Sequence, residues 1–557
     1  MAAPFTVLIM AAGQGTRMRS DVPKVLHRIA GKPLVEWVVD AAREAGAARV
    51  VAVVRPGDGV AEGLPDGVEV AEQREGEGTG AAVLAARETV LGPGAGSGGK
   101  ANDGPVVVLS GDHPLVTSEQ IEGLLREHQA RGALATLLTT DRLDPTGYGR
   151  VVRDADGTVD RIFETKHPEG LSEEELAVPE INLGAYAFDA STLFDAIDRV
   201  ELERGERYLT GVFPLVRADG GTVAAHMTAD ADAALGVNDR AGLMDAEVAA
   251  QRRLIEQHAR AGVTFLQPGT TRVEAGVTIG HDSVIGPGTV LEGGTSVGEG
   301  CELGPHTTAR DATIHDGAIV VHSFVLGAEV GPDVKVGPFA YLRPGTIVRE
   351  GAKVGAFVEV KNSDIGAGAK VPHLSYIGDT EVGVESNVGA GTITANYDGV
   401  NKSRTQVGSH VRTGSHNVFV APVRIGDGAY TGAGTVVREG AKVGTFVEVK
   451  NSDIGAGAKV PHLSYLGDAD VGEGSNLGAS TITANYDGRK KHRTKLGKSV
   501  KTGIHTSLIA PLDVGDQAYT GAGSTITDDV PEGALGIARE KQRNIEGYAD
   551  RMEEDSS

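Results

Sequence analysis

Two hydrophobic patterns divide the chain. Up to about residue 240, short runs rich in Val, Leu and Ile (5–10, 48–54, 105–112, 133–139) alternate with stretches of helical spacing such as 33–44 and 118–129. Buried strands alternating with helices predict an α/β domain with a mainly parallel, Rossmann-like sheet covered on both faces. Residues 239–262 keep helical spacing with no Gly between Leu243 and Ala261, which predicts one linking helix. From Val273 the period changes to six: Val273, Ile279, Ile285, Leu291, Val297 and Leu303, then Val330, Val336, Leu342, Val348, Val354 and Val360. Six-residue self-similarity predicts a parallel β-helix, with about 18 residues per triangular coil and the aliphatic side chains stacked inside. The steps Val360–Ile365 and Ile377–Val382 are one residue short, so local breaks in register are expected there, with loops leaving the prism. The expected divisions are 1–238, 239–262 and 263–540. The Gly/Ser-rich stretch 91–104 reads as a flexible insertion; 541–557 is a C-terminal tail whose acidic end, MEEDSS (552–557), reads as disordered.

Inside the six-residue region the chain repeats itself. Residues 346–379 read TIVREGAKVGAFVEVKNSDIGAGAKVPHLSYIGD, and 435–468 differ from them at only a few positions. The offset of 89 (435 − 346) persists through TITANYDG at Thr392 and Thr481 and AYTGAG at Ala429 and Ala518. One residue short of five coils, such a copy is expected to lengthen the prism without shifting its faces.

At 557 residues the chain exceeds one core. A net charge of −23 argues against a nucleic-acid-binding surface, so any phosphate handled here must be held by Gly loops, Mg²⁺ and a few placed cations. The single cysteine, Cys301, leaves no disulfide framework and fits a reducing cytoplasm. No apolar run approaches the roughly 20 residues of a membrane span, so no membrane insertion is expected.

The first strand runs into AAGQGTRM, a Gly loop that presents backbone N–H groups to phosphates. A Gly loop alone is a weak signal, and the third glycine of GxGxxG is missing here. The longer phrase MAAGQGTRMRSDVPKVLHRIAGKPLVEW resembles the nucleoside-triphosphate:sugar-1-phosphate nucleotidyltransferases. That resemblance implies that Met10, Ala11, Ala12 and Gly13 line the nucleotide site, and that Arg17 and Lys24 neutralise the triphosphate. EQREGEGTG resembles the uracil-reading segment, with Gln73, Gly78 and Thr79 at the contact positions, although Gly76 and Ala81 depart from the usual pattern. LSGDHPL supplies Ser110, Gly111 and Asp112, and GVNDR supplies Asn238; Asp112 and Asn238 would share Mg²⁺. Gly149, Glu164 and Asn182 match sugar-contacting positions.

The β-helix motifs KN, HLSY, TITANYDG and GSHNVFVAP resemble the acetyltransferase domain of the GlmU family. These bifunctional enzymes acetylate glucosamine-1-phosphate with acetyl-CoA, then join the resulting N-acetylglucosamine-1-phosphate to UTP. The resemblance covers nearly the whole chain. It implies a left-handed β-helix, a cytoplasmic homotrimer with acetyl sites between neighbouring prisms, and a product feeding peptidoglycan and lipopolysaccharide-type synthesis. His373 would be the general base, suited by an ordinary pKa near working pH. Arg343, Lys361, Tyr376, Asn387 and Asn396 would hold the sugar phosphate, and Ala390, Asn396, Tyr397, Ser415 and Ala433 would line the acetyl-CoA cleft.

The second copy keeps Lys450, His462, Tyr465, Asn476, Ala479, Asn485, Tyr486 and Ala522, so His462 is a possible second base. It has Gly432 in place of Arg343, Ile504 in place of Ser415 and Ser480 in place of Gly391. It alone precedes the closing segment with Arg539, a candidate coenzyme A contact. A phosphate clamp lost to Gly cannot be replaced by backbone, so the first copy is expected to be the working one. The alternative is a monofunctional nucleotidyltransferase whose β-helix is only an oligomerisation scaffold.

Overall fold

The computed structural model describes residues 4–92, 104–146, 148–163, 172–203 and 205–549. Glu164, most of the insertion at 91–104 and the acidic end of the tail (550–557) lie outside the described residues. The chain divides into two compact units, Met1–Leu254 and Ile255–Ser557.

The first unit is built on strand β1 (Thr6–Met10), which pairs in parallel with β2 (Arg49–Val54) and β4 (Pro105–Ser110). β3 (Glu69–Glu72) extends one side of the sheet. On the other side come β8 (Ile181–Asp189), β5 (Ala135–Thr140) and β9 (Val223–Met227), with β8 antiparallel to its neighbours. A hairpin of β6 (Arg150–Arg153) and β7 (Val159–Phe163) branches from β8. Alternation along the strands explains the near-continuous apolar runs. Leu8, Val51 and Val53 enter one core, while Val7, Ile9, Val50 and Ala52 enter the other. Helices at Leu34–Glu44 and Ser118–Ala130 cover the sheet, the second opened by a Thr117–Gln120 capping box. The helix expected at 239–262 runs Arg240–Arg260.

The second unit is the prism. All twelve aliphatic residues of the six-residue series are buried, each adding on the order of 1.5–3 kcal/mol. Three parallel sheets form its faces. Face one carries Lys353–Ala356, Lys370–His373, Asn387, Arg412–Thr413, Tyr430–Thr431, Glu448–Lys450 and Tyr465–Gly467 in successive coils. Face two carries Tyr341–Leu342, Glu359–Lys361, Tyr376–Gly378, Ile393–Ala395, Val418–Val420 and Val436–Val437. Face three carries Ile347–Val348, Asp364–Ile365, Thr380–Val382, Thr405–Val407, Val423–Ile425, Lys442–Thr445 and Lys459–His462.

Two expectations are corrected here. The five-residue steps do not break register: Asp364 pairs with both Ile347 and Glu381. Their corners are simply tighter, turned by Asn362 (φ 45°) and Asp379 (φ 46°), residue types whose short side chains tolerate the left-handed conformation. The duplication does shift the faces. Between Ile347–Val348 on face three and its counterpart Val436–Val437 on face two, the chain takes 14 face-to-face steps, four coils and two faces. The passage from Ile393–Ala395 to Thr405–Val407 spends two hexapeptides' worth of chain on a single corner, so 89 residues fall one face short of five coils. Every motif of the second copy is therefore turned by one third of a revolution from its counterpart.

Candidate active sites

In the α/β unit the loops at the C-terminal ends of the central strands enclose a cleft of about 380 Å³. Its walls include Met10, Ala12, Gly13, Arg17, Lys24, Gln73, Gly78, Thr79, Ser110, Asp112 and Asn238. Ala11 is buried behind the wall, and Gly111 fixes the floor by donating its N–H to the Met10 carbonyl. Two glycines are required by contact as well as by φ. At Gly15 (φ 60°) a Cβ would lie 2.7 Å from the Lys24 Cβ, and at Gly78 (φ 95°) it would lie 2.5 Å from the Arg207 carbonyl oxygen.

The cleft is electrostatically prearranged. Lys24 forms an ion pair with Asp112, both side chains largely buried, and the Ser110 hydroxyl donates to the same carboxylate at 2.5 Å. Burial alone would push the Asp112 carboxyl up; His113 and Lys24, together with the bonds from Lys24 and Ser110, hold it below the ordinary carboxylate range. Arg17 donates to the Asn238 amide oxygen at 2.9 Å, so each predicted cation contacts one of the two predicted metal ligands. An ionised carboxylate and an amide oxygen on one wall fit Mg²⁺, which takes few protein ligands and completes its shell with phosphate and water.

The sugar-side expectations fare differently. Asn182 donates its backbone N–H to the Gly149 carbonyl at 2.9 Å, so these two are neighbours. Neither lines the cleft, and the Asn182 amide is engaged by Tyr186 and Gly184. Sequence reasoning missed Arg55 and Glu77. Arg55 donates to the Ala12 carbonyl at 2.7 Å and to Glu77 at 2.9 Å, tying the Gly loop to the segment that carries Gln73 and Gly78. Nothing local in the sequence signals that contact.

On the prism, the first copy gathers its polar set over two or three coils of faces one and two. His373 ends the face-one strand Lys370–His373 and is exposed. Asn387 lies on the same face one coil on, aligned with Lys370. Tyr376 opens the face-two strand beside it and donates to Asn396 at 3.4 Å. Asp379 organises the rest, accepting from Asn362 at 2.5 Å and from Asn396. Burial would raise the Asp379 carboxyl, but those two amides, with Lys361 and Lys402, hold it low.

Lys402 was not anticipated. The loop after Asn396 folds back, with Tyr397 bridged to Lys402 and Ser403 donating to the Asn396 carbonyl at 2.9 Å. Lys402 thereby comes alongside Lys361 and, with desolvation and Arg343, lowers the Lys361 ammonium. Arg343, held by Glu359 at 2.8 Å, adds a third cation beside Lys361, a polarity suited to a sugar phosphate. Ala390, Ser415 and Ala433 stand on successive coils at the corner of faces one and two: the His416 N–H donates to Ala390, and the Gly434 N–H to Ser415.

The second copy rebuilds only part of this. Asp468 accepts from Asn451 and Asn485, both at 2.5 Å. The place of Arg343 is Gly432, where a Cβ would lie 2.7 Å from the Lys450 side chain and 2.9 Å from its Cα. Ile504 is 53% exposed where the first copy has Ser415, and Ser480 takes a left-handed φ of 60° where the first copy has Gly391. Ala479 and Ala522 fall on the corner of faces three and one, where Arg539 donates to the Ala522 carbonyl at 2.9 Å. Tyr486 is exposed on its loop, and His462 and Asn476 lie on face three.

An α/β unit with a cation-lined Gly-loop cleft, joined to a hexapeptide prism with repeated His, Tyr and Asn motifs, defines a two-part transferase. Comparison bears this out. Residues 7–210 match the MobA-like NTP transferase domain, and residues 276–311 match the bacterial transferase hexapeptide (six repeats). The bifunctional protein GlmU of Mycolicibacterium vanbaalenii is 46% identical over 443 residues, covering 78% of this chain and 88% of that protein. Those of Corynebacterium efficiens (44%, covering 78% and 89%) and Kineococcus radiotolerans (46%, covering 80% and 89%) are similar. The chain belongs to the GlmU family of bifunctional proteins. It is a nucleotidyltransferase and an acyltransferase in one polypeptide, with a left-handed β-helix as its second part.

Proposed function

We propose that the chain makes UDP-N-acetylglucosamine in two steps, acetylating glucosamine-1-phosphate on the prism and uridylylating the product in the α/β cleft. In the first step the 2-amino group attacks the thioester carbonyl of acetyl-CoA. His373 takes the amine proton and the coenzyme A thiolate leaves. Arg343, Lys361 and Lys402 hold the sugar phosphate, while Tyr376, Asn387 and Asn396 orient the ring. Acetyl-CoA lies along Ala390, Tyr397, Ser415 and Ala433. In the second step a phosphate oxygen of N-acetylglucosamine-1-phosphate attacks the α-phosphorus of UTP and pyrophosphate departs. Arg17 and Lys24 neutralise the triphosphate, Gln73 reads the uracil, and Gly149, Glu164 and Asn182 are assigned to the sugar. Mg²⁺ held by Asp112 and Asn238 supplies further charge neutralisation when bound. Positioning and electrostatics carry the reaction.

The observation that carries this reading is the Lys24–Asp112–Arg17–Asn238 constellation on one cleft wall, in a chain whose prism repeats a second, different polar set. Because the first copy's groups lie on an outward prism surface, the acetyl site needs a further wall, and a homotrimer of parallel prisms supplies it. The chain acts in the cytoplasm and feeds cell-wall precursor synthesis; among the described residues no helix is long and apolar enough to cross a membrane. The test is paired. Thiol release from acetyl-CoA and glucosamine-1-phosphate, and pyrophosphate release from UTP, Mg²⁺ and N-acetylglucosamine-1-phosphate, are both expected. Pyrophosphate without thiol would leave the prism as a scaffold.

A further inference from the structure

The one-face offset has a functional consequence. Lys361 and Tyr376 stand on face two, whereas Lys450 and Tyr465 stand on face one. His373 ends a strand of face one and His462 a strand of face three. An exposed apolar ridge turns with them. In the first copy Phe339 and Phe357 stack at 5.2 Å, followed by Leu374, at the corner of faces one and two. In the second copy the ridge is Phe446 and Leu463, at the corner of faces three and one.

In a cyclic trimer of parallel prisms each subunit turns one fixed edge towards its neighbours. A patch one third of a revolution away on the same prism then points elsewhere. The two sets cannot both be completed by neighbours in one threefold assembly.

We propose that acetyl transfer runs on the first copy alone, and that the second copy is silenced by the face it occupies and not by its own substitutions. The inference rests on the acetyltransferase reading and its threefold assembly. The first copy is the one that is completed because it continues the faces of the coils before it without offset.

The experiment measures coenzyme A release by the full chain and its variants, with the thermal midpoint of the β-helix unit as the folding control. His373→Ala is expected to lower release at least ~100-fold, as loss of a general base does, and His373→Gln serves if the alanine variant misfolds. His462→Ala is expected to change release less than about twofold. Ile504→Ser, which returns the first copy's serine to an exposed position of the second copy, is expected to restore nothing in the His373→Ala background. Release that survives His373→Ala, release that falls about tenfold with His462→Ala, or recovery through Ile504→Ser would each overturn the inference. No release from the unmodified chain would overturn the acetyltransferase reading itself, and the inference with it.

Discussion

Gly78→Ala probes how tightly the nucleotide cleft is built. At φ 95° and ψ 169° Gly78 occupies a region open essentially only to glycine, where another residue costs about 1–3 kcal/mol. The new Cβ would also sit 2.5 Å from the Arg207 carbonyl oxygen, well inside the ~3.3 Å at which carbon and oxygen meet. The overlap cannot be relieved freely, because the Gly80 N–H donates to that oxygen at 2.7 Å and the Arg207 N–H donates to Glu77 at 2.9 Å. Losing one of these bonds adds about 1 kcal/mol, for a total of about 2–4 kcal/mol. In a unit of this size that lowers the melting midpoint by roughly 5–12 °C. Thermal denaturation of the α/β unit and kcat/KM for UTP read the effect, with acetyl transfer as an internal control that should not move. Gly46→Ala separates strain from collision: its φ is 83° but nothing lies within 4 Å of the added carbon, so only about 1–2 kcal/mol is expected. Equal midpoints for the two variants, or an unchanged KM for UTP in Gly78→Ala, would refute the close-approach argument.

Arg17→Ala and Asp112→Asn are each expected to lower uridylyl transfer by about 10²–10³ while leaving coenzyme A release intact, measured by the two assays in parallel. Chelation of Mg²⁺ should likewise stop pyrophosphate release and spare acetyl transfer. Asp379 has its pKa lowered from 3.8 in the folded chain, so its contribution is present above that value and lost as pH falls through the depressed one. Asp379→Asn should therefore be less stable than the parent at neutral pH, with the gap in denaturation midpoint closing in acid; a gap that is constant with pH contradicts the assignment. A Glu381→Cys, Gln406→Cys pair should form a disulfide, because these two are register partners across the long passage. Failure to cross-link would mean the passage does not advance by a single face.

Both architectures were legible because their periods are physical. Strand residues alternate between two cores, and one aliphatic in six points into a prism, so Val273 to Val360 could be placed inside before any coordinate was known. The nucleotide cleft was equally legible where each residue sits in a short motif of its own, as Lys24, Asp112 and Asn238 do. Arg55 and Lys402 were not, because Arg55 meets Ala12 across neighbouring strands and Lys402 is brought in by a loop that folds back, and neither has a local signature. Asp379 left a clue in its repetition as Asp468. The face offset was misread for a different reason. Counting residues assumes that each corner consumes the same length of chain, and the loop between Ala395 and Thr405 does not.

Removing residues 346–434 tests the role of that offset most directly. The deletion joins Gly345 to Thr435, a Gly–Thr junction like the two already in the chain, and returns the second copy to the faces the first one held. Because the deletion also sets Arg343 where Gly432 had stood, it is combined with Arg343→Gly; if orientation is what silences the second copy, this shortened chain still releases coenzyme A and His462→Ala abolishes that release. Release that is indifferent to His462, or no release from a shortened chain that still transfers uridylyl groups, would contradict the account.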